Sequence, residues 1–239
     1  MQNTELDRLI EEISSKYAVE IVPLKIGDKT LRILQLKDFV GHVEELIESK
    51  GAGIKDLPYW AKAWDASFLL AIYLGKRPVV LGQRILEIGA GLGIVGIYAA
   101  LCGHRVTITD INEDALLFAR ANALLNGIPD TRVMKLDWTN AVVDSPYDLI
   151  VGSEVVYERE SYPVLVRFLL KALAPEGIIF LAKNSQLNTP AFFAELTRHF
   201  EYKETVQNIR SGDEAQRIGL FAIRRKSSAR TNGNRSPMS

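Results

Sequence analysis

The sequence ILEIGAGLG, residues 85–93, joins a short apolar run to three glycines in alternate positions. Glycine at such a turn lets the backbone pass close to a ligand, and the helix that follows presents an N-terminus that favours negative charge. Asp110 follows the next β-rich run, 106–109, and a carboxylate there can accept hydrogen bonds from both hydroxyls of a ribose. The loop and the acidic residue together predict a site for a compound that contains adenosine.

Apolar runs alternate with helical periodicity from this loop onward. The predicted strands are 84–88, 106–109, 132–136, 148–152 and 178–182, and the predicted helices are 93–102, 113–126, 162–173 and 190–199. Segments 202–206 and 220–224 are extended with no helix between them, which predicts a hairpin. Repeated strand–helix units with apolar strands are typical of a parallel sheet covered on both faces. We therefore predict an α/β fold: a Rossmann-like, doubly wound, mostly parallel seven-stranded sheet with a terminal antiparallel hairpin.

The chain ahead of this fold has its own pattern. Residues 1–56 predict an N-terminal helix and β-hairpin extension, with a capping box at Thr4 and Asp7 and a hairpin turn at Gly27-Asp28. Asp65 is a candidate N-cap for a further helix at the start of the main domain, 57–226. Residues 227–239 lack apolar periodicity and predict a disordered tail.

Composition excludes several classes of protein. The 29 basic and 29 acidic residues cancel, so no global basic field is available to hold nucleic acid or an anionic membrane. One cysteine and three scattered histidines predict neither a disulfide framework nor a metal site. The polar, acidic N-terminus differs from a signal peptide, and the longest uncharged stretch is too short to span a bilayer. The expectation is a cytoplasmic protein with no membrane or nucleic-acid partner.

The glycines fit two kinds of adenosine compound. Residues 91–96 also match the GxGxxG fingerprint of NAD- and flavin-dependent oxidoreductases. Against that alternative, the first glycine after the strand is Gly89, and in that frame the third falls on Ile94. Glu87 would also repel a pyrophosphate, whereas it suits a cofactor that carries an α-ammonium. The acidic-x-Gly-x-Gly-x-Gly order favours S-adenosylmethionine (SAM).

Several segments carry a closer resemblance. Glu87–Gly93, Asp110 and Asp137 resemble the motifs of class I, seven-stranded SAM-dependent methyltransferases, over about residues 58–226. Three further segments resemble methyltransferase family 16, a family of protein lysine methyltransferases; they are Trp64-Asp65-Ala66, Leu136-Asp137-Trp138 and Ser153-Glu154-Val155-Val156-Tyr157. Thr139 departs from the glycine that family members often have after the Asp-Trp pair.

The resemblance implies roles for individual residues. The implied SAM contacts are Trp64, Glu87, Gly89, Gly91, Gly93, Asp110, Ile111, Asp137, Trp138 and Ser153. Among them, Glu87 would lie near the methionine ammonium, Asp110 would hold the ribose, and Asp137 would accept from the adenine amino group. Glu154 and Tyr157 are the implied catalytic residues, orienting an acceptor amine at the end of the fourth strand of the sheet.

The leading hypothesis is therefore methyl transfer from SAM to an amine, most simply a lysine of a protein substrate. A small-molecule amine, hydroxyl or acid is the alternative acceptor, while an oxidoreductase and a non-catalytic binding module are more remote. The Asn/Asp-Pro-Pro-Tyr/Phe type of segment used on base amines is absent from the sequence, which disfavours nucleic acid. The N-terminal hairpin and a predicted loop over 207–216 are the expected substrate contacts.

Overall fold

The computed structural model describes residues 4–53, 56–211 and 214–226. Its helices are α1 (Glu5–Lys16), α2 (Phe39–Lys50), α3 (Asp65–Gly75), α4 (Ile94–Leu101), α5 (Glu113–Leu125), α6 (Tyr162–Ala172) and α7 (Pro190–Leu196). Its strands are β1 (Val19–Ile26), β2 (Lys29–Leu36), β3 (Ile85–Glu87), β4 (Val106–Asp110), β5 (Arg132–Lys135), β6 (Tyr147–Ser153), β7 (Leu173–Asn184), β8 (Phe200–Ser211) and β9 (Glu214–Arg225). Short 3₁₀ turns occupy Tyr59–Ala61 and Arg159–Ser161. The predicted tail, 227–239, lies outside the described residues.

A seven-stranded sheet in the order β5-β4-β3-β6-β7-β9-β8 forms the centre of the fold. Strands β3 to β7 are parallel, while β9 runs antiparallel to both β7 and β8. This confirms the predicted fold class. The chain winds outward from β3 through β4 to β5 and then returns to the other side of β3 as β6. The carboxyl ends of β3 and β6 therefore form a topological switch point, where open α/β sheets bind their ligands.

Helices cover both faces of the sheet because the strands alternate apolar side chains between two cores. In β6, Leu149 and Val151 lie in one core and Ile150 lies in the other. The first core also contains apolar residues of α3, α4 and α5, and the second contains those of α6 and α7. Side chains at successive strand positions point to opposite faces, so this division follows directly from the apolar runs.

The N-terminal extension packs on the first of these two cores. The hairpin of β1 and β2 turns at Gly27-Asp28 as predicted, and the capping box of Thr4 and Asp7 is present. Buried Ile13 of α1 and Leu31 of β2 belong to the same core as the sheet. Helix α1 lies on α5, where the Arg120 guanidinium bonds the Glu5 carboxylate at 2.7 Å.

Two sequence expectations are wrong in detail. Trp64, with no side-chain capping bond, precedes α3, and Asp65 is its first helical residue and not its N-cap. The loop predicted over 207–216 is mostly strand: residues 207–211 belong to β8 and 214–216 to β9, while Gly212 and Asp213 lie outside the described residues. Nothing among the described helices is long and apolar enough to cross a membrane.

Candidate active site

The glycine-rich loop lies at the switch point in a conformation that side chains disfavour. Gly89, Gly91 and Gly93 have φ angles of 57°, 54° and 78°, in the left-handed region. A Cβ on Gly91 would lie 2.6 Å from the Trp60 carbonyl oxygen, and one on Gly89 would lie 2.7 Å from Val155 Cγ1. Both the backbone angles and the close neighbours therefore require glycine at these positions.

Asp110 ties the end of β4 to this loop. Its Oδ2 accepts the Gly91 amide at 2.8 Å, and its Oδ1 accepts the Asn112 amide at 2.9 Å. Burial raises the pKa of the Asp110 carboxyl, and the backbone amides oppose that shift. The next side chain, Ile111, is 59% exposed although it is apolar. A buried acceptor and an uncovered hydrophobic side chain thus stand together at the strand end.

Glu87 is placed behind the loop. Its carboxyl is buried and its Oε2 accepts the Gly96 amide of α4 at 2.9 Å. Burial raises the pKa of Glu87 to about 8, and the nearby negative charge of Asp110 adds to the shift. The direct contact of this acid is therefore the first turn of α4, whose N-terminus favours negative charge.

Asp137 and Trp138 follow β5, one strand beyond β4. Asp137 Oδ1 accepts the amide of Thr139 at 2.8 Å and its hydroxyl at 2.7 Å, which hold the pKa of the carboxyl below its usual range. Both bonds use Oδ1, so they leave Oδ2 for another donor. Trp138 packs against the core of α6 and α7 and lines a surface pocket with Phe168 and Lys171.

Glu154 follows β6 with an unusual backbone. Its φ is 54°, and elsewhere among the residues that the structure describes a positive φ occurs at glycine. Its amide bonds the Ala182 carbonyl at 2.8 Å, and its Oε1 accepts the Asn184 amide at 2.7 Å. Burial raises the pKa of the carboxyl, while the Asn184 bond and the charge of Lys183 oppose that shift. These contacts hold the side chain against the end of β7.

Tyr157 and Trp64 lie at the same edge of the sheet, and the ring of Tyr59 lies near both of them. The Tyr59 ring lies 5.9 Å from the Tyr157 ring and 6.3 Å from the Trp64 ring, centroid to centroid. The Trp64 indole N–H donates to the Tyr59 carbonyl at 2.9 Å, and Tyr157 is 59% exposed. Ser153 joins this region to α3 through a 2.6 Å hydroxyl contact with Ser67.

Sequence reasoning missed several residues that build this edge. Tyr59 lies between the two predicted aromatic residues, Trp64 and Tyr157. Asn184 holds the side chain of Glu154, and Lys183 holds the segment after β7. Lys183 is buried, and its Nζ donates to the carbonyls of Asn184, at 3.0 Å, and Leu187. The sequence offers no spacing signal for these contacts, because Asn184 lies 30 residues from Glu154. Within the described ranges, no group of three or more His, Cys, Asp or Glu side chains is placed to hold a metal ion.

Comparisons with known proteins agree with this geometry. Residues 56–199 match a family described as lysine methyltransferase. The protein N-lysine methyltransferase METTL21A of Danio rerio is 38% identical over 160 residues, covering 63% of this chain and 72% of that protein. EEF1A lysine methyltransferase 3 of Mus musculus is 33% identical over 195 residues, covering 79% of this chain and 81% of that protein. The crystal structure of a ribosomal protein L11 methylase from Lactobacillus delbrueckii subsp. bulgaricus has a TM-score of 0.55 and 29% identity, covering 69% of this chain and 81% of that one.

Proposed function

This chain belongs to the lysine methyltransferase family, and we propose that its acceptor is the side-chain amine of a lysine on a protein. The family match spans more than half of the chain, and the chain is a SAM-dependent N-methyltransferase. Two relatives that are named lysine methyltransferases align with most of their own length. These names concern the relatives, and they support the same acceptor class here. The oxidoreductase and binding-module alternatives have no comparable support.

The residues at the switch point fit SAM. Gly89 and Gly91 let the loop backbone pack closely on Val155 and Trp60, which a Cβ on either residue would contact, and glycine also lets a backbone come close to a ligand. Asp110 uses each carboxylate oxygen for one backbone amide, which leaves further lone pairs for donors such as hydroxyls. The exposed Ile111 side chain beside it offers an apolar surface for a flat ring. The cluster of acidic groups suits a cationic ligand.

We assign the cofactor contacts accordingly. Asp110 accepts from the ribose hydroxyls, Ile111 packs on the adenine, and the free Oδ2 of Asp137 accepts from the adenine amino group. Glu87 acts from beneath the loop, as a buried acid whose charged form is favoured when an ammonium binds nearby. The remaining proposed contacts close the site around the loop; they are Trp64, Gly89, Gly91, Gly93, Trp138 and Ser153.

Glu154 and Tyr157 are the proposed catalytic residues. SAM supplies an electrophilic methyl group when it is bound. An acceptor lysine has a pKa near 10.4 and must present a neutral nitrogen, so its proton has to be removed or its charged form disfavoured. Glu154 Oε2 is the acceptor for the amine, since Oε1 already holds the Asn184 amide. Its raised pKa makes it a stronger proton acceptor than an exposed carboxylate. Tyr157 presents its exposed ring to the lysine stem and its cation.

One observation carries this proposal: a half-buried carboxyl, Glu154, lies at the end of β6 directly before Val155, which packs against Gly89 of the loop. A proton acceptor and the cofactor loop are thus neighbours across the switch point. We further propose that the enzyme works in the cytoplasm and that neither nucleic acid nor a membrane is its partner. The balanced charge of 29 basic and 29 acidic residues supports both exclusions.

The test is transfer of a radiolabelled methyl group from SAM into a size-fractionated cell extract by the full chain. We expect label in a discrete protein band that survives alkali, as an N-methyl group does and a carboxyl methyl ester does not. Mass spectrometry of that band should place the methyl on lysine. The Asp110→Ala variant, which lacks the ribose acceptor, is the matched loss-of-binding control.

The outcomes separate the two acceptor classes. Label confined to the small-molecule fraction would overturn the protein acceptor in favour of a metabolite. Label on arginine or histidine of a protein would contradict lysine as the acceptor residue but would leave the protein acceptor in place. Label in nucleic acid would contradict the proposed partner class as a whole.

A further inference from the structure

Asn122, on α5, is fully buried, and its side-chain amide is hydrogen-bonded both to β2 and to the glycine loop. Its Oδ1 accepts the Leu34 amide of β2 at 2.7 Å, and its Nδ2 donates to the Leu34 carbonyl at 3.3 Å. The same Nδ2 donates to the Leu92 carbonyl, within the glycine loop, at 3.1 Å. A single buried side chain therefore joins the N-terminal hairpin to the loop at the switch point.

Asn126, the C-cap residue of α5 one turn after Asn122, makes the bonds to β2 but not the bond to the loop. Its Oδ1 accepts the Arg32 amide at 2.9 Å and its Nδ2 donates to the Arg32 carbonyl at 2.8 Å. Residues four apart on a helix share a face, and residues two apart on a strand share an edge. The two asparagines therefore pair with the outer edge of β2 as a neighbouring strand would. Asn122 alone extends the pairing to the loop, because the second Nδ2 donation of Asn126 goes to the Asn122 carbonyl.

The Leu92 bond adds to other restraints on the loop. The Ala90 amide bonds the Thr109 carbonyl at 3.0 Å, and the Gly91 amide bonds Asp110 at 2.8 Å. Both of those restraints come from the end of β4 and act on the first half of the loop. The Asn122 bond acts on the second half, directly before Gly93. The donor on α5 thus adds to the bond from the Gly93 amide to the Ala90 carbonyl, at 2.9 Å, in fixing the turn into α4.

We propose that Asn122 is a positioning residue for the cofactor: it holds the glycine loop in its binding conformation and anchors that loop to the N-terminal hairpin. The proposal rests on SAM binding at this loop, as argued above. The N-terminal extension then has a second role besides packing. Strand β2 fixes the side-chain amide of Asn122, and that amide in turn holds Leu92 of the loop. A buried amide is the side chain that suits this task, because it accepts from one backbone group and donates to two.

Two variants of the full chain test this. Asn122→Leu removes the bonds to β2 and to Leu92, and the matched control Asn126→Leu removes the bonds to β2 while leaving the loop untouched. Both should lower the Tm, Asn122→Leu more than Asn126→Leu, because the Leu34 groups that lose their partner are buried whereas those of Arg32 are exposed. Only Asn122→Leu should weaken binding of S-adenosylhomocysteine in calorimetry, by about tenfold. The KM for SAM should rise in parallel, while kcat stays within about twofold of the unaltered chain.

A second substitution at the same residue covers the case in which Asn122→Leu does not fold. Asn122→Asp keeps the size of the side chain and an acceptor for Leu34 but loses both Nδ2 donations, so the same selective loss of binding is expected. Wild-type affinity in a folded Asn122 variant, or an equal loss in Asn126→Leu, would overturn the positioning role. Failure of the unaltered chain to bind S-adenosylhomocysteine would overturn the cofactor site and this role together.

Discussion

Glu154 has both a strained backbone and a half-buried carboxyl. A non-glycine residue with φ of 54° costs free energy that surrounding contacts must offset. Here the Ala182 carbonyl and the Asn184 amide bond the backbone and the side chain of Glu154. Such strain is common where a side chain has to be aimed, so it supports the proposed role of the carboxyl.

Glu154→Gln should nearly abolish methyl transfer. Glutamine keeps an oxygen for the Asn184 amide but lacks a group that can hold the lysine proton, so we expect kcat to fall by about a hundredfold or more. Affinity for S-adenosylhomocysteine should stay within a few-fold, because the residue is proposed to contact the acceptor. Single-turnover kinetics and calorimetry on the same preparation measure the two quantities.

The control is Glu160→Gln, which should leave turnover unchanged, because Glu160 is an exposed residue on the 3₁₀ turn Arg159–Ser161.

The pH profile gives a further check on Glu154. Its raised pKa should place the acid limb of kcat above the range of an exposed glutamate, with activity falling as pH falls through that pKa. Full activity in Glu154→Gln would remove the residue from the mechanism.

Individual site residues were predictable where a strand end and a residue type coincide. Asp110 is such a case, because a short β-rich run ends there and the loop glycines precede it. The partners of Glu154 were not predictable, since Asn184 and Lys183 reach it across the sheet from β7. Trp138 shows the same limit: its position after β5 was predicted, whereas its packing against the core that contains Phe168 depends on how α6 is placed.

At the scale of elements, the glycine loop is restrained on several sides. The Trp60 carbonyl lies above Gly91, Val155 lies beside Gly89, and the Ala119 Cβ lies 3.1 Å from where a Cβ on Gly93 would be. The loop is therefore enclosed by the 3₁₀ turn before α3, the segment after β6 and helix α5. This enclosure predicts that small changes in the loop affect binding as well as stability.

Gly91→Ala should reduce both stability and cofactor binding, whereas Gly127→Ala should reduce stability alone. Both glycines have positive φ, 54° and 71°, so an alanine costs about 1 kcal/mol of backbone strain at either position. A Cβ at Gly127 meets nothing within 4 Å, whereas at Gly91 it lies 2.6 Å from the Trp60 carbonyl oxygen. We expect Gly91→Ala to lower the Tm further than Gly127→Ala and to be the only one that weakens S-adenosylhomocysteine binding. Equal effects on binding would contradict the enclosure of the loop.

The boundaries of elements show where sequence patterns lose information. Strand β8 was predicted over 202–206 and extends over Phe200–Ser211. This strand lies at the edge of the sheet and its residues 201–208 are exposed, so a run of buried side chains does not mark where it ends. Backbone pairing with β9 continues to Ser211 nonetheless. The predicted loop at 207–216 failed for this reason, while the buried strands β4 and β6 came within one residue of their observed ends.

At the scale of the whole molecule, the extension at 1–56 and the sheet share one core. Ile13, Leu31 and Ile33 pack in the same cluster as Leu70, Ile97 and Phe118. The sequence predicted the helix and hairpin of this segment, yet it treated them as lying ahead of the main fold. The contacts that join the two parts, such as Leu34 to Asn122 and Glu5 to Arg120, link residues 88 and 115 positions apart. Local periodicity has no access to contacts of that separation.

The stability of the whole chain should depend on pH through its buried acids, Glu87 above all. The native chain raises the pKa of Glu87 to about 8 from 4.5, so it retains a proton that the unfolded chain releases. The free energy of unfolding should therefore fall as pH rises from about 4.5 to about 8 and level off above that range. Acids whose pKa is lowered, such as Asp7 and Asp137, contribute below this window, where they make the free energy of unfolding rise with pH.

Glu87→Gln isolates this contribution. Glutamine keeps an oxygen for the Gly96 amide and has no proton to release, so its free energy of unfolding should decline less over the same window. Urea denaturation at about pH 5 and about pH 8 measures the slope in both chains. The difference between them should grow toward pH 8 in favour of the variant, on the order of 3 kcal/mol. Asp110 and Glu154 also have raised pKa values, but they are present in both chains. Parallel slopes would mean that Glu87 is ionised in the native chain across this range, as it would be beside a permanent positive charge.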